Sequence, residues 1–139
     1  MLIKTILIPA FLWSGYSILP TVYYKFIYKE RYQKNELQLT FDDGPNPIYT
    51  EQILDILKQH HTKAIFFVIA EKVEKYPDIL KKIHQEGHDI GLHCYHHTHP
   101  FLWGIWKTKK DMQKSKQILE NHGIKPSYYR PPHGWVNLS

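Results

Sequence analysis

The chain has 139 residues, of which 42% are apolar, 14% aromatic and 22% charged, and its formal net charge is +5. This length allows one domain of ordinary size and excludes two. The balance of apolar and charged residues excludes a disordered chain, and the single cysteine, Cys94, excludes an internal disulfide. With no repeat and no low-complexity tract, the composition favours a globular protein.

The first thirty residues predict a membrane anchor. Residues 5–24 carry no charge and lie between Lys4 and Lys25. A helix of that length spans about 30 Å, the hydrocarbon thickness of a bilayer. No small-residue cleavage site is present, so we expect residues 1–28 to form an uncleaved transmembrane anchor. An amphipathic or core helix is the alternative.

A basic cluster follows this segment. Lys25, Lys29, Arg31 and Lys34 are opposed only by Glu30. Because the cluster adjoins an apolar segment, we interpret it as facing anionic lipid head groups, and we expect no nucleic-acid partner. The positive-inside rule would keep the C-terminal part of the chain in the cytoplasm. The motifs later in the chain instead favour an extracytoplasmic location, and the sequence leaves this conflict open.

The remaining residues alternate between strand and helix patterns. Such alternation is typical of a parallel sheet with helical crossovers, either a barrel or an open α/β sheet. Four strands amount to half of a (β/α) barrel. The predicted strands cover residues 36–41, 63–69, 88–92 and 126–130, and the predicted helices cover residues 49–60 (with Thr50 as N-cap), 77–87 and 107–122.

Polar clusters follow three of the four predicted strands. Asp42 and Asp43 end the first strand, residues 93–99 after the third strand contain four histidines, and residues 130–134 follow the fourth strand. Each cluster alone has an ordinary explanation, as a turn, a surface loop or a salt-bridged arginine. In parallel α/β folds, however, chemistry collects at the carboxyl ends of the strands. The coincidence of three clusters therefore predicts a functional site at this rim.

Two carboxylates near a histidine cluster suggest a divalent metal site for Zn, Fe, Co, Ni or Mn. His93 and His97 are four residues apart, so one helical turn would bring both imidazoles to one ion. Two histidines and one carboxylate leave positions open for water, as in a catalytic site. Successive strand residues point to opposite sides, so the second aspartate would be free to act as a base. We interpret His96 and His99 as surface or outer-shell residues.

At these positions the sequence resembles the polysaccharide deacetylases, the carbohydrate esterase family 4 with the NodB homology domain. Thr40-Phe41-Asp42-Asp43-Gly44-Pro45 resembles the first motif of that family, His93 to His97 the second, and Arg130-Pro131-Pro132-His133-Gly134 the third. The resemblance implies that residues 36–139 are the N-terminal part of a NodB domain. The implied fold is an α/β partial (β/α) barrel with about four of the family's roughly seven strands, preceded by the transmembrane helix.

The resemblance also implies roles for single residues. Asp42 would be the catalytic base, and Arg130 would orient it and keep it ionised by charge pairing. Asp43, His93 and His97 would hold the metal, which is usually zinc in this family, although Co, Ni, Mn or Fe are alternatives.

The resemblance also implies a role for the third motif and a reaction. Pro132, His133 and Gly134 would bind substrate, with a backbone N–H near His133 helping to hold the oxyanion. The reaction would be the hydrolysis of N-acetyl groups on GlcNAc- or MurNAc-type polysaccharide, in peptidoglycan or a chitin-like polymer. The catalytic part would then be membrane-anchored and extracytoplasmic.

Two departures from the family pattern bear on activity. Cys94 stands where serine or threonine is usual, and could act as a fourth soft ligand. The sequence ends at Ser139, before the Leu-x-His motif whose histidine serves as general acid in the family. We therefore expect a truncated deacetylase with little activity of its own. A non-catalytic metal- or glycan-binding remnant and a merely structural membrane protein are the alternatives.

Overall fold

The computed structural model describes two compact units. The unit built from Glu36–His97 and Lys110–Arg130 contains the sheet. The other unit draws on Met1–Asn35, Thr98–Lys109 and Pro131–Ser139. The residues described are 12, 15–16, 18–25, 37–98 and 104–134.

The predicted anchor lies mostly outside the described residues. Of residues 1–28, only 12, 15–16 and 18–25 are described, and they are helical. Among the parts of the chain that the structure describes, no helix has both the length and the apolarity needed to cross a bilayer.

Three parallel strands form the sheet, in the order β1 (Leu39–Gly44), β2 (Ala64–Ile69) and β3 (Asp89–Cys94). The predicted strand–helix alternation is therefore confirmed. β1 and β3 lie further along the chain than the periodicity predicts, because pairing with β2 carries β1 to Gly44 and β3 to Cys94. Hydrogen bonding between strands determines where β1 and β3 end, and the local sequence pattern does not reveal this pairing.

Within residues 37–98 and 104–134, four helices follow the strands along the chain. Pro77 occupies the first turn of its helix, where its missing N–H costs nothing. The second helix was not predicted, because six residues are too short to show a helical period. The helices are α1 (Tyr49–Gln59), α2 (Ala70–Lys75), α3 (Pro77–Gln85) and α4 (Ile105–Asn121).

The start of α1 corrects one prediction. Thr50 is not the N-cap: it lies inside the helix, and its hydroxyl accepts the N–H of Asn46 at 2.9 Å. The Asn46 side chain instead accepts the N–H groups of Ile48 and Tyr49, at 2.9 and 3.0 Å. Asn46 therefore satisfies the first free amides of the helix, and it joins the first motif directly to α1.

The two faces of the sheet have different roles. One face carries the main core, where Phe66 and Val68 of β2 and Leu92 of β3 pack with apolar side chains of α1, α3 and α4. Successive strand residues point to opposite sides. The other face therefore carries Phe67, Gly91 and the polar residues of the candidate site.

The fourth predicted strand is wrong as an extended element. Residues 126–130 contribute a single parallel bridge, between Leu92 and Tyr129. The Leu92 N–H donates to the Tyr128 carbonyl at 2.8 Å, and the Arg130 N–H donates to the Leu92 carbonyl at 3.0 Å. Prolines 126 and 131 flank this stretch and have no N–H to extend the ladder.

His88, just before β3, makes the stability of this unit depend on pH. Its Nδ1 accepts the Ala64 N–H at 3.3 Å, and its ring packs edge-on against Phe66. Burial, helped by the positive charge of Lys63, lowers the pKa of His88 below its usual value. The unfolded chain then binds this proton more readily than the folded chain does.

We therefore expect the His88 contribution to stability to be complete above about pH 6.5, the ordinary histidine pKa, and to fall as the pH drops below it. His88→Asn keeps an acceptor near the Nδ1 position without a titrating group. Urea unfolding at pH 5.0 and 7.5 should show a smaller pH dependence in this variant than in the wild type. An unchanged pH dependence would contradict the assignment.

Candidate metal centre

A bulge at the end of β1 separates the two adjacent aspartates. Asp42 pairs with Phe67 and Gly44 with Val68, so Asp43 is an extra residue in the ladder. Its φ of 66° lies in the left-handed region, which aspartate tolerates better than most residues. The two carboxylates therefore diverge because of this bulge, whereas the sequence suggested simple strand alternation as the cause.

Lys72 of α2 supports the bulge. Its ammonium donates to the Asp43 backbone carbonyl at 2.7 Å. This contact ties the left-handed peptide of Asp43 to a helix that directly follows β2. The sequence offers no signal for this role, since Lys72 lies 29 residues from Asp43 in an ordinary charged helix.

Three ligand-type atoms converge beside the bulge. Asp43 Oδ1 lies 3.3 Å from His93 Nε2 and 3.3 Å from His97 Nε2. The predicted trio is the candidate metal-binding group found among the described residues. His93 is buried, whereas Asp43 and His97 are more exposed. The group therefore opens to solvent on the side away from His93.

The hydrogen bond of His93 shows why these atoms suit a cation. His93 Nδ1 lies 2.6 Å from the Arg130 carbonyl oxygen, which can only accept. Nδ1 therefore carries the proton, and the lone pair of Nε2 faces the Asp43 carboxylate. A cation between a lone pair and a carboxylate oxygen at this distance would be attracted by both atoms.

The spacing of the donors also fits a metal. Zinc ligands at about 2.0–2.1 Å in a tetrahedron lie roughly 3.3–3.4 Å from one another. Both measured separations from Asp43 Oδ1 are 3.3 Å. One carboxylate and two imidazoles leave at least one position open, as in catalytic and not structural sites.

Asp42 lies outside this trio and is held by Arg130. The guanidinium donates to Asp42 Oδ1 at 2.7 Å and to the Thr40 hydroxyl at 2.9 Å. Its carbon lies 4.2 Å from the centre of the Phe67 ring, so the aromatic face supports the cation. The predicted Asp42–Arg130 pair is therefore present, with Asp42 Oδ1 engaged by the arginine.

The remaining predicted residues are the substrate-binding residues of the third motif and the histidines His96 and His99. Pro132, His133 and Gly134 form a short 3-10 turn immediately after the Arg130-Pro131 step, with His133 at a φ of 56°. They belong to the compact unit that does not contain the sheet. Their role in substrate binding stays a prediction. His96 is exposed and pairs with Glu71 at 3.0 Å, as expected of a surface residue, and His99 lies outside the described residues.

Comparison with known families decides the classification. The sequence model of the family described as "Polysaccharide deacetylase" matches residues 29–139. The chain belongs to the polysaccharide deacetylase family. The family resemblance of the sequence motifs is thereby confirmed.

Similar proteins of known name agree with this assignment. A peptidoglycan-N-acetylglucosamine deacetylase of Bacillus cereus is 42% identical over 114 residues, covering 81% of this chain and 42% of the relative. The peptidoglycan-N-acetylmuramic acid deacetylase PdaC of Bacillus subtilis is 39% identical over 104 residues, covering 73% of this chain and 22% of PdaC. The chain spans about half the length of the curated relatives it matches, or less.

Solved structures of family members have the same fold. A crystal structure of a peptidoglycan N-acetylglucosamine deacetylase in complex with an N-hydroxybenzamide matches with a TM-score of 0.74 and 42% identity, over 77% of this chain and 50% of that chain. The structure of PdaC from Bacillus subtilis matches with a TM-score of 0.70 and 38% identity, over 73% of this chain and 50% of that chain. The deacetylase-type α/β fold is therefore confirmed for the part of the barrel that this chain contains.

Gly91, two residues before His93, supports the site because it has no side chain. An added Cβ would lie 2.6 Å from two Phe67 ring atoms and 3.2 Å from the Tyr128 Cβ. The Phe67 ring thus fills the space that any larger residue at position 91 would need. Because Arg130 rests on that ring, Gly91 indirectly sets the height of the guanidinium above the sheet.

We expect Gly91→Ala to cost about 1–3 kcal/mol of stability by overpacking and to loosen the Asp42–Arg130 pair. Urea unfolding measures the first effect. Gly91→Ala combined with Phe67→Leu, which removes the obstructing ring, should recover part of the stability. If Gly91→Ala alone were as stable as the wild type, the Phe67 ring would have to move aside without cost.

Cys94 is not one of the three grouped ligand residues, and its thiol is expected to be unreactive. It lies at the end of β3 and is buried. Burial, with the negative charges of Asp111 and Asp43 adding to it, raises the pKa of the thiol to about 12. The thiol therefore stays protonated at neutral pH in the metal-free chain.

We expect alkylation of Cys94 by iodoacetamide at pH 8 to be at least on the order of a thousandfold slower in the folded, metal-free chain than in urea, because an unfolded cysteine has a pKa near 8.5. Mass spectrometry of labelled chain measures the rate. Rapid labelling without urea would show that the thiol is accessible and ionised.

Proposed function

We propose that this chain carries the metal-binding half of a hydrolase that removes N-acetyl groups from GlcNAc- or MurNAc-type cell-wall polysaccharide. The observation that carries the proposal is the convergence of Asp43, His93 and His97 beside a separate carboxylate, Asp42, that Arg130 holds. The named relatives are peptidoglycan deacetylases. A metal site with an adjacent carboxylate is an arrangement that can catalyse amide hydrolysis, with the metal activating water and the carboxylate acting as base.

The donor set suits a divalent ion. Asp43, His93 and His97 would hold it, and zinc is the first choice because it accepts nitrogen and oxygen donors in a tetrahedron. Cobalt, nickel, manganese and iron suit the same donors, since affinity alone does not select among them. When bound, the ion would polarise the substrate carbonyl and make the attacking water more acidic.

Asp42 supplies the base. Arg130 occupies Oδ1, so we assign proton removal from water to Oδ2 of Asp42. The guanidinium supplies the opposite charge beside this carboxylate, at 2.7 Å from Oδ1. Since Arg130 contacts Thr40 and Phe67 as well, it fixes Asp42 in one orientation relative to the metal ligands.

His93 and His97 act only as ligands in this scheme. The Nδ1 proton of His93 is committed to the Arg130 carbonyl, so its Nε2 remains a donor of electrons to the ion. Water attack on the acetamide carbon then breaks the C–N bond and yields acetate and a free amine. The proton delivered to that amine comes from a general acid, and the Leu-x-His segment that provides it in the family is not among these 139 residues.

A second candidate function is a metal- or glycan-binding domain without turnover of its own, which would keep the same trio of Asp43, His93 and His97. One similar solved structure is described as a mutant of a family pseudoenzyme with restored enzymatic activity, so inactive members have precedent. Binding of metal and of chitin oligomers without acetate release would support this candidate over the first.

We also propose a membrane-attached, extracytoplasmic location. The support is the uncharged run of residues 5–24 together with the location of peptidoglycan outside the cytoplasmic membrane. The basic residues after this run would then face the head groups of the outer leaflet, against the usual charge bias.

Acetate release from peptidoglycan and chitin oligomers, with Zn²⁺ or Co²⁺ added, tests the main proposal. Asp42→Asn should lower the rate about 10²–10⁴-fold without weakening metal binding, because only the base is lost. Asp43→Asn should lower both the rate and the metal affinity, and a chelator should abolish wild-type turnover. Asp55→Asn, an exposed carboxylate of α1, is the matched control and should behave as wild type.

Two results would count against the proposal. Full activity of Asp42→Asn would remove that residue from the reaction. Metal affinity unchanged in Asp43→Asn would show that the trio is not the metal site.

A further inference from the structure

The turn after β3 must be held for His97 to face Asp43. His93 belongs to β3 and is fixed by the strand and by the Arg130 carbonyl. β3 ends at Cys94, so the backbone of Tyr95 and His96 has left the strand ladder before His97 is reached. Something other than the sheet therefore decides where the second histidine lies.

Asp111 of α4 contacts this turn. Its Oδ2 accepts the Tyr95 N–H at 2.8 Å, and its Oδ1 accepts the His96 N–H at 3.3 Å. Each carboxylate oxygen thus serves one of two successive amides. The helix around Asp111 is itself secured, because the buried Ser115 hydroxyl donates to the Asp111 carbonyl at 2.7 Å.

The other contacts of the turn involve different groups: the Lys114 ammonium of α4 lies 3.5 Å from the centre of the Tyr95 ring, and the remaining contacts come from α2. The Tyr95 hydroxyl donates to Glu74 at 3.0 Å, and the Tyr95 carbonyl accepts the Glu71 N–H at 3.4 Å. The His96 ring pairs with Glu71. These contacts hold the side chains and one carbonyl, whereas the two amides that direct the chain toward His97 depend on Asp111.

We propose that Asp111 is a positioning residue of the metal site, which sets the location of His97 by binding the amides of Tyr95 and His96. The inference rests on the proposed function in that His97 is taken as a metal ligand. Asp111 reaches neither the trio nor Asp42 with a hydrogen bond described in the structure, so its effect passes through the backbone of the turn. A carboxylate suits this role because it offers an acceptor to each amide and carries no N–H of its own.

This role predicts more than a loss of stability. If Asp111 acted only on the fold, substitution would weaken the whole unit and leave the affinity of the folded chain for metal intact. If it positions His97, the folded chain loses metal affinity, and the loss disappears when His97 is already absent. Asp111→Asn is the sharper variant, because it keeps the shape and turns an amide NH₂ toward one of the two backbone N–H groups.

The test uses the full chain and Zn²⁺ alone, with calorimetric titration and amide hydrogen exchange. We expect Asp111→Asn and Asp111→Ala to weaken Zn²⁺ binding about 10–100-fold, as loss of outer-shell support commonly does. Exchange at Tyr95 and His96 should rise roughly tenfold or more, while β2 amides stay protected. In a His97→Ala background, Asp111→Asn should cause no further loss of affinity.

Glu120 of α4 provides a matched control. Glu120→Gln removes an acidic side chain from the same helix, one that pairs with Lys116, and should leave both measurements at wild-type values. Wild-type affinity and unchanged exchange in Asp111→Asn would overturn the proposal, and this near-isosteric variant decides the matter if Asp111→Ala does not fold. A wild-type chain that binds no Zn²⁺ would refute the proposed metal site instead, and the exchange at Tyr95 and His96 would then decide for or against Asp111.

Discussion

The pairing of Leu92 with the segment Tyr128–Arg130 is the interaction on which the site depends. Two backbone hydrogen bonds bring this segment beside β3, although it forms no strand of its own. Arg130 then acts twice: its carbonyl orients the imidazole of His93, and its guanidinium holds Asp42. One short parallel contact thereby links the proposed metal ligands to the proposed base.

The division of labour between Asp42 and Asp43 follows from electrostatics and backbone geometry together. Two neighbouring carboxylates on a regular strand would each need a compensating charge. The bulge places Asp43 beside the two imidazoles, where a cation would satisfy all three donors, and leaves Asp42 with the permanent charge of Arg130. In the proposed function, these separate counter-charges let one carboxylate serve as ligand while the other keeps a free oxygen for proton transfer.

The site combines residues inside the regular strands with residues outside them. His93 and Asp42 lie on strands whose pairing determines their places, whereas Asp43 and His97 lie where the regular ladder is interrupted or has ended. Those two residues are supported from helices: Lys72 of α2 holds the carbonyl of Asp43, and Asp111 of α4 holds the turn before His97. The helices thus help to position Asp43 and His97 through hydrogen bonds to backbone groups.

Much of the fold was predictable because its signals are local. Apolar periodicity, the Pro77 start and the order of strands and helices identified three strands and three of the four helices. Local patterns failed where tertiary pairing decides: the ends of β1 and β3, the reduction of residues 126–130 to a bridge, and the six-residue helix α2. The N-cap error at Thr50 has a similar origin, since Asn46 reaches the helix only after the turn has bent back.

The sequence by itself determined the family and the order of the elements, and it identified the residues that we propose as metal ligands, base and arginine partner, because these depend on residue type and on the rule that parallel strands end at one rim. Only the tertiary structure decided how these residues work together. The left-handed peptide at Asp43, the proton assignment of His93 and the support from Lys72, Gly91 and Asp111 depend on contacts between distant segments. Such contacts are set by distances in space, which residue spacing along the chain does not encode.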